Sequence, residues 1–182
     1  EAGVSFADHA QTEGITPASL LNVTFATFFL DVDFDGWLDI FATNGHVDDI
    51  VNTYQSNLTF RQKPLLLHNR YGEKRASPAF ENIAPSAGFT EPLVGRGAAY
   101  GDLDGDGDLD IGMVDNGGRF RLYRNDSTGI GNWIRFHLVG AGKNLDAIGS
   151  YVKVTVGDTT HTQYVKSSCG FLSESERTLV FG

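Results

Sequence analysis

One nine-residue pattern, Asp-x-Asp-x-Asp-Gly-x-x-Asp, is written twice in this chain, as DVDFDGWLD at 31–39 and as DLDGDGDLD at 102–110, 71 positions further on. Each copy runs straight into an apolar residue, Ile40 or Ile111. Alternate carboxylates on a tight loop converge on one point, the glycine supplies the sharp turn, and hard oxygen donors at about 2.3–2.6 Å suit Ca²⁺. The spacing therefore predicts two calcium sites. In the first, Asp31, Asp33, Asp35 and Asp39 are the side-chain ligands, with the Trp37 carbonyl at the seventh place. In the second they are Asp102, Asp104, Asp106 and Asp110, with the Asp108 carbonyl. Water completes each shell. The competing reading is a solvated acidic hairpin held by Asx hydrogen bonds alone. Against it, four carboxylates packed together repel strongly unless a cation sits among them.

An EF-hand needs a bidentate Glu at its twelfth position and a helix on either side. Here the twelfth positions are Ala42 and Met113, so the ninth-position Asp has to close the shell. The flanks read as strands: 26–30 and 97–101 before the loops, 38–42 and 109–114 after them, ended by Asn44-Gly45 and Asn116-Gly117.

Composition bounds the partners. The 182 residues carry 14 basic and 23 acidic side chains, a formal charge of −9, and nine of the acids lie in the two loops. Two bound Ca²⁺, each +2, would bring −9 to −5, so much of the acidity is local. Nucleic acid and anionic membrane surfaces are poor partners for such a chain. No apolar run approaches the roughly 20 residues that span a bilayer, so no membrane insertion is expected. At 41% hydrophobic with 22 glycines, the chain reads as a turn-rich all-β protein. Cys169 is the single cysteine, read as a buried, inert thiol. Loops of this kind in extracellular modules often bind calcium at about 10⁻⁴–10⁻³ M and would stand empty in a cytosol, which predicts a secreted or periplasmic home. Asn22, Asn57 and Asn125 head formal glycosylation sequons, which do not decide the host.

An internal repeat organises the first two thirds. Ala2-Gly3-Val4 recurs as Ala87-Gly88-Phe89, and Leu65–Arg70 recurs loosely as Phe120–Asn125. The first unit carries an extra excursion at 46–63, a candidate contact surface. A unit of one loop and about four short strands cannot bury both faces alone, and such repeats usually stack as propeller blades. Two blades close no ring, so further blades of a longer parent chain, or another subunit, are expected beside them. After Gly129 alternation takes over, at 133–139, 151–156, 161–166 and 178–181, which predicts a small antiparallel β meander.

FFLDVDFDGWLDIFATNGHV and GRGAAYGDLDGDGDLDIGMVDNG, with LLLHN and RLYRN after them, resemble FG-GAP/VCBS-type propeller repeats. NWIRFHLVGAGKNLDAIGSYVKVTVG and CGFLSESERTLVFG are similar to the ASPIC/UnbV domain that ends cartilage-acidic-protein-like secreted proteins. The resemblance implies a calcium-bearing partial propeller over 1–128 followed by an ASPIC/UnbV-like β domain over 129–182. It also implies a role in binding or assembly. The chain ends at Gly182, where the family usually continues, and lacks earlier blades, so the C-terminal piece of a larger protein is expected.

Enzyme readings find little. Neither Gly-x-Ser-x-Gly nor His-Glu-x-x-His occurs, and Gly95-Arg96-Gly97 fails the dinucleotide fingerprint because Tyr100 stands where the third glycine belongs. The five histidines show no ligand-like spacing; His46, after a turn, reads as a hydrogen-bonded structural histidine, and Trp37 and Trp133 as packing residues. The expectation is thus a non-enzymatic, calcium-stabilised scaffold for protein–protein interaction, as an accessory subunit of a larger complex. The alternative is a carbohydrate-binding or carbohydrate-processing module, with a glycan as partner.

Overall fold

A computed structural model of the chain describes residues 3–72, 77–127 and 131–182. The architecture is all-β: antiparallel sheets, none closed, and a single five-residue α-helix, α1 (Ile15–Ser19), among the described residues. The first sheet has the order β1 (Thr24–Leu30), β2 (Asp39–Asn44), β3 (Leu65–Asn69), β4 (Phe80–Asn82). The second runs β5 (Gly95–Gly101), β6 (Asp110–Asp115), β7 (Arg121–Tyr123).

The two hairpins share one register. Leu30 faces Asp39 as Gly101 faces Asp110, Thr24 faces Asn44 as Gly95 faces Asp115, and a bulge interrupts both at the same place, between Thr24 and Thr27 and between Gly95 and Ala98. Every one of these positions is displaced by the 71 residues that separate the motifs. On the third strands Ile40 pairs Leu67 and Ile111 pairs Tyr123, which makes His68 the counterpart of Arg124 and Asn69 that of Asn125.

Strand period 2 decides what each strand buries. Ala26, Phe28 and Leu30 of β1 point inward and join Phe41, Leu66, Phe89, Leu93, Ala98, Ile111 and Met113 in a core common to both sheets. Phe28 stacks on Phe41 at 5.2 Å, and Phe41 lies 5.5 Å from Phe89. Burial of each such side chain stabilises by about 1.5–3 kcal/mol. The opposite face of the first sheet, Ala42, Leu65 and Leu67, is covered by Ile15 and Ala18 of α1.

The excursion at 46–63 is fastened down at its ends. Gly45 bridges Arg61, Gln62 bridges Leu93, and Arg61 pairs the buried Asp115 at 2.8 Å. Arg96 reaches back to the Gly45 and His46 carbonyls, at 2.9 and 3.0 Å. Val51 is buried, whereas Val47, Ile50 and Tyr54 remain exposed.

The boundary expected at 128/129 lies outside the described residues. Beyond it the strands are β8 (Ile134–Phe136), β9 (Tyr151–Val156), β10 (Thr159–Tyr164) and β11 (Leu179–Phe181). They do not meander: β9 pairs β10, while β8 pairs β11. The expected strand at 133–139 shrinks to three residues, the length that β11 covers, and 131–133 and 137–140 are irregular. Phe136, Val152 and Val154 pack on Val165, Leu179 and Phe181, and Val180 enters the core of the two larger sheets.

Candidate metal centre

Both acidic loops are shaped by hydrogen bonds that their spacing makes available. Asp31 accepts N–H bonds from Asp35 at 3.1 Å and Gly36 at 3.0 Å, and Asp35 accepts one from Trp37 at 2.8 Å. In the second loop Asp102 accepts from Gly105, Asp104 from Asp106 and Asp106 from Asp108. The fourth and sixth positions are left-handed in both copies: Phe34 and Gly36 at φ 58° and 85°, Gly105 and Gly107 at 84° and 105°. A glycine adopts this backbone without penalty, whereas Phe34 pays about 1–2 kcal/mol. Its ring is buried in the core beside Trp133, which offsets that cost. At Gly107 a Cβ would collide with the Trp133 ring.

The ninth-position aspartates, both buried, close the loops identically. Asp39 accepts from Val32 at 3.0 Å and Asn69 at 2.7 Å; Asp110 accepts from Leu103 at 2.9 Å and Asn125 at 2.8 Å. Asn125 then donates to the Val32 carbonyl at 2.9 Å and so ties the second loop to the first.

The structure gathers carboxylate oxygens of Asp31, Asp33 and Asp35 within 4.8 Å of one another, and likewise those of Asp102, Asp104 and Asp106. Asp110 stands outside the latter group, and Asp39 forms a separate one with Asp33 and His68. The seventh position differs between copies. The Trp37 ring packs 4.9 Å from Tyr71 and 6.0 Å from His161, whereas the Asp108 carboxylate is buried and its Oδ1 has no hydrogen-bond partner. Oδ1 of Asp33 is also buried without a partner.

These environments push protons on. Burial, then the charges of Asp35, Asp39 and Asp33, raise Asp31 to about 7 against the Gly36 N–H, which lowers it. Burial raises Asp39 to about 6, opposed by the Asn69 and Val32 N–H groups and by His68. Burial and the neighbouring Asp106 raise Asp108 to about 7. A cation among the carboxylates would reverse all three shifts, because it favours the charged form.

Basic residues from distant strands meet the loops. Arg135 of β8 pairs Asp102 and, at 2.6 Å, Glu176, whose other oxygen accepts the Asp102 N–H. Arg124 lies 3.8 Å from Asp104, and His68 lies 3.7 Å from Asp33 and 3.1 Å from Asp39. Sequence reasoning passed over His68 because no histidine spacing marks it. The signal available was the repeat itself, which sets His68, just ahead of Asn69, on the strand beside Asp39. His46 turns its Nδ1 to accept the Asp48 N–H at 3.0 Å, a local turn contact. Cys169 is half-buried, 3.7 Å from the Tyr100 hydroxyl.

No curated protein matches the chain. Residues 140–182 match the family model described as ASPIC and UnbV, and this C-terminal part of the chain is of that kind.

Proposed function

We propose that the chain is a calcium-stabilised extracytoplasmic scaffold, with FG-GAP/VCBS-type propeller repeats over 1–128 and an ASPIC/UnbV-like domain from 129 on, used in protein–protein interaction within a larger complex. One observation carries this reading: carboxylate oxygens of Asp31, Asp33 and Asp35 lie within 4.8 Å of one another, and the buried Oδ1 of Asp33, one of the proposed ligands, has no hydrogen-bond partner. Burying an unsatisfied polar group costs about 1–3 kcal/mol, and more when it is charged. A divalent cation removes that cost, and an all-oxygen donor set selects calcium. The residues that would hold it are Asp31, Asp33, Asp35, the Trp37 carbonyl and Asp39 in one loop, and Asp102, Asp104, Asp106, the Asp108 carbonyl and Asp110 in the other. Bound there, calcium supplies charge neutralisation and a fixed loop shape.

The role is rigidity rather than catalysis. The loops join the strands of the two hairpins, and a stiff frame displays the apolar tip of the excursion, Val47, Ile50 and Tyr54, to a protein partner. Calcium at extracellular concentration supports the secreted or periplasmic setting. The test is thermal unfolding with and without EDTA, together with elemental analysis of calcium-replete protein. A lowered melting temperature and two bound calcium ions support the reading; an unchanged curve with vacant loops removes it. Asp35→Ala and Asp106→Ala should each reproduce part of the EDTA effect.

A further inference from the structure

We propose that His68, Asp33 and Asp39 form a second cation site beside the first loop, with mixed nitrogen and oxygen donors, that takes a divalent transition metal of the Zn²⁺, Co²⁺ or Mn²⁺ class. The site shares Asp33 and Asp39 with the proposed calcium loop. It stands without calcium, because its distinguishing donor is an imidazole delivered by β3.

Geometry is the first argument. The Nδ1 atom of His68 lies 3.1 Å from Asp39 Oδ1 and 3.7 Å from Asp33 Oδ2, and one donor from each of the three residues falls within 4.8 Å of the others. Ligands bound at about 2.0–2.2 Å to one tetrahedral or octahedral ion are themselves roughly 3.0–3.5 Å apart. The His68–Asp39 separation falls in that range and the His68–Asp33 separation lies just beyond it, with all three donors inside 4.8 Å.

Preorganisation is the second argument. Asp39 is fully buried, its Oδ1 accepts the Asn69 N–H at 2.7 Å, and the same oxygen lies within hydrogen-bond distance of His68 Nδ1, at 3.1 Å, so a cation there would take the place of the proton shared by that pair. A backbone donor behind a ligating carboxylate is the outer-shell support that metal sites use. Asp33 contributes the third argument, because its Oδ1 is buried without a hydrogen-bond partner while its Oδ2 faces the imidazole. A bridging carboxylate has those two unequal oxygens. A cavity of about 470 Å³, lined by Asp33, His68, Tyr123, Asn125 and Asp126, opens onto the donors and gives an ion an entry path and room for water ligands.

Imidazole decides the class of ion. Calcium takes oxygen ligands, whereas an N/O set suits zinc and its neighbours. The second loop has no such site at the equivalent place, because Arg124 stands where His68 does and a guanidinium carries no lone pair to offer.

The test is a Co²⁺ titration of the full chain, stripped by chelator and then saturated with Ca²⁺, read by visible absorption. One equivalent of Co²⁺, displaced by Zn²⁺, is expected. His68→Gln should weaken it more than about 100-fold, since even outer-shell partners are worth about 10–100-fold. His68→Cys should retain binding and add a sulfur-to-cobalt charge-transfer band, which separates ligation from a fold defect. Equal Co²⁺ binding by the wild type and His68→Gln, or loss of binding only in Asp35→Ala, overturns the proposal and leaves the calcium reading intact. Co²⁺ binding that depends on His68 in a protein whose melting temperature ignores Ca²⁺ sustains this site and removes the calcium reading instead.

Discussion

The two acidic loops have the same spacing, the same left-handed positions and the same closing aspartate, yet their carboxylates meet different basic groups. Loop one sets an imidazole, His68, against Asp33 and Asp39, while loop two sets two guanidiniums, Arg124 and Arg135, against Asp104 and Asp102. An arginine stays charged at any working pH and accepts nothing, whereas a neutral histidine offers a lone pair. Loop two therefore carries built-in positive charge that competes with a metal for Asp102. On the reading proposed above, loop one should recruit metal more readily than loop two. A shared local motif does not give shared electrostatics, because compensation arrives from strands far away in sequence.

Removal of metal should have the largest effect on this comparison. With free calcium at 100 times the dissociation constant, each site contributes about 2.7 kcal/mol, worth about 5–11 °C in a chain of this size. EDTA at pH 7.5 should thus lower the melting temperature by roughly twice that for two sites. The pH profile gives the sign. Asp31 and Asp108 are raised to about 7 and Asp39 to about 6, above their unfolded value of 3.8, so metal-free protein should be most stable below pH 4 as far as these groups are concerned. It should lose that contribution as pH rises through 6 to 7. Calcium-replete protein should show the opposite trend over the same window, since metal binds the deprotonated form. Parallel pH curves with and without EDTA would break the comparison.

Arg135→Met comes next. It strands the buried carboxylate of Asp102 and the part-buried Glu176, and should cost about 2–3 kcal/mol in the metal-free protein, below the roughly 3–5 kcal/mol of a fully buried pair because the arginine is partly exposed. The same change should cost less with calcium bound, a difference that paired melting curves will show. Asp108→Asn keeps the backbone carbonyl but removes a buried negative charge. It should raise the metal-free melting temperature at pH 8 by several degrees, raise it less at pH 5, and leave it unchanged only below about pH 4, where Asp108 is protonated in the folded and unfolded states alike. Arg124→Gln should matter least, with no resolvable shift in denaturant melts, because an exposed pair is worth little.

Much of this arrangement was legible before folding, and the particular residues show why. The spacing of Asp31, Asp33, Asp35 and Gly36 encodes hydrogen bonds that span at most five residues, so this turn takes shape locally, while its closure by Asp39 calls on Asn69, 30 residues away. The flanking strands followed from short apolar runs and from Asn44 and Asn116 at their ends. The C-terminal strands were located by alternation, but their pairing was not, since alternation is identical whether β8 lies beside β9 or β11. The anchoring of the excursion at 46–63 was not legible, because Arg61 and Asp115, 54 residues apart, give no local sign of their contact.

The sequence by itself determined the two loops, their turns and their hairpins, because each depends on backbone and side-chain atoms a few residues apart. Only the tertiary structure decided that His68 meets Asp39, that Arg135 meets Asp102 and that Asp108 is buried. Those contacts hang on strand register and on the docking of the C-terminal strands, which are properties of the whole packed core and not of any segment.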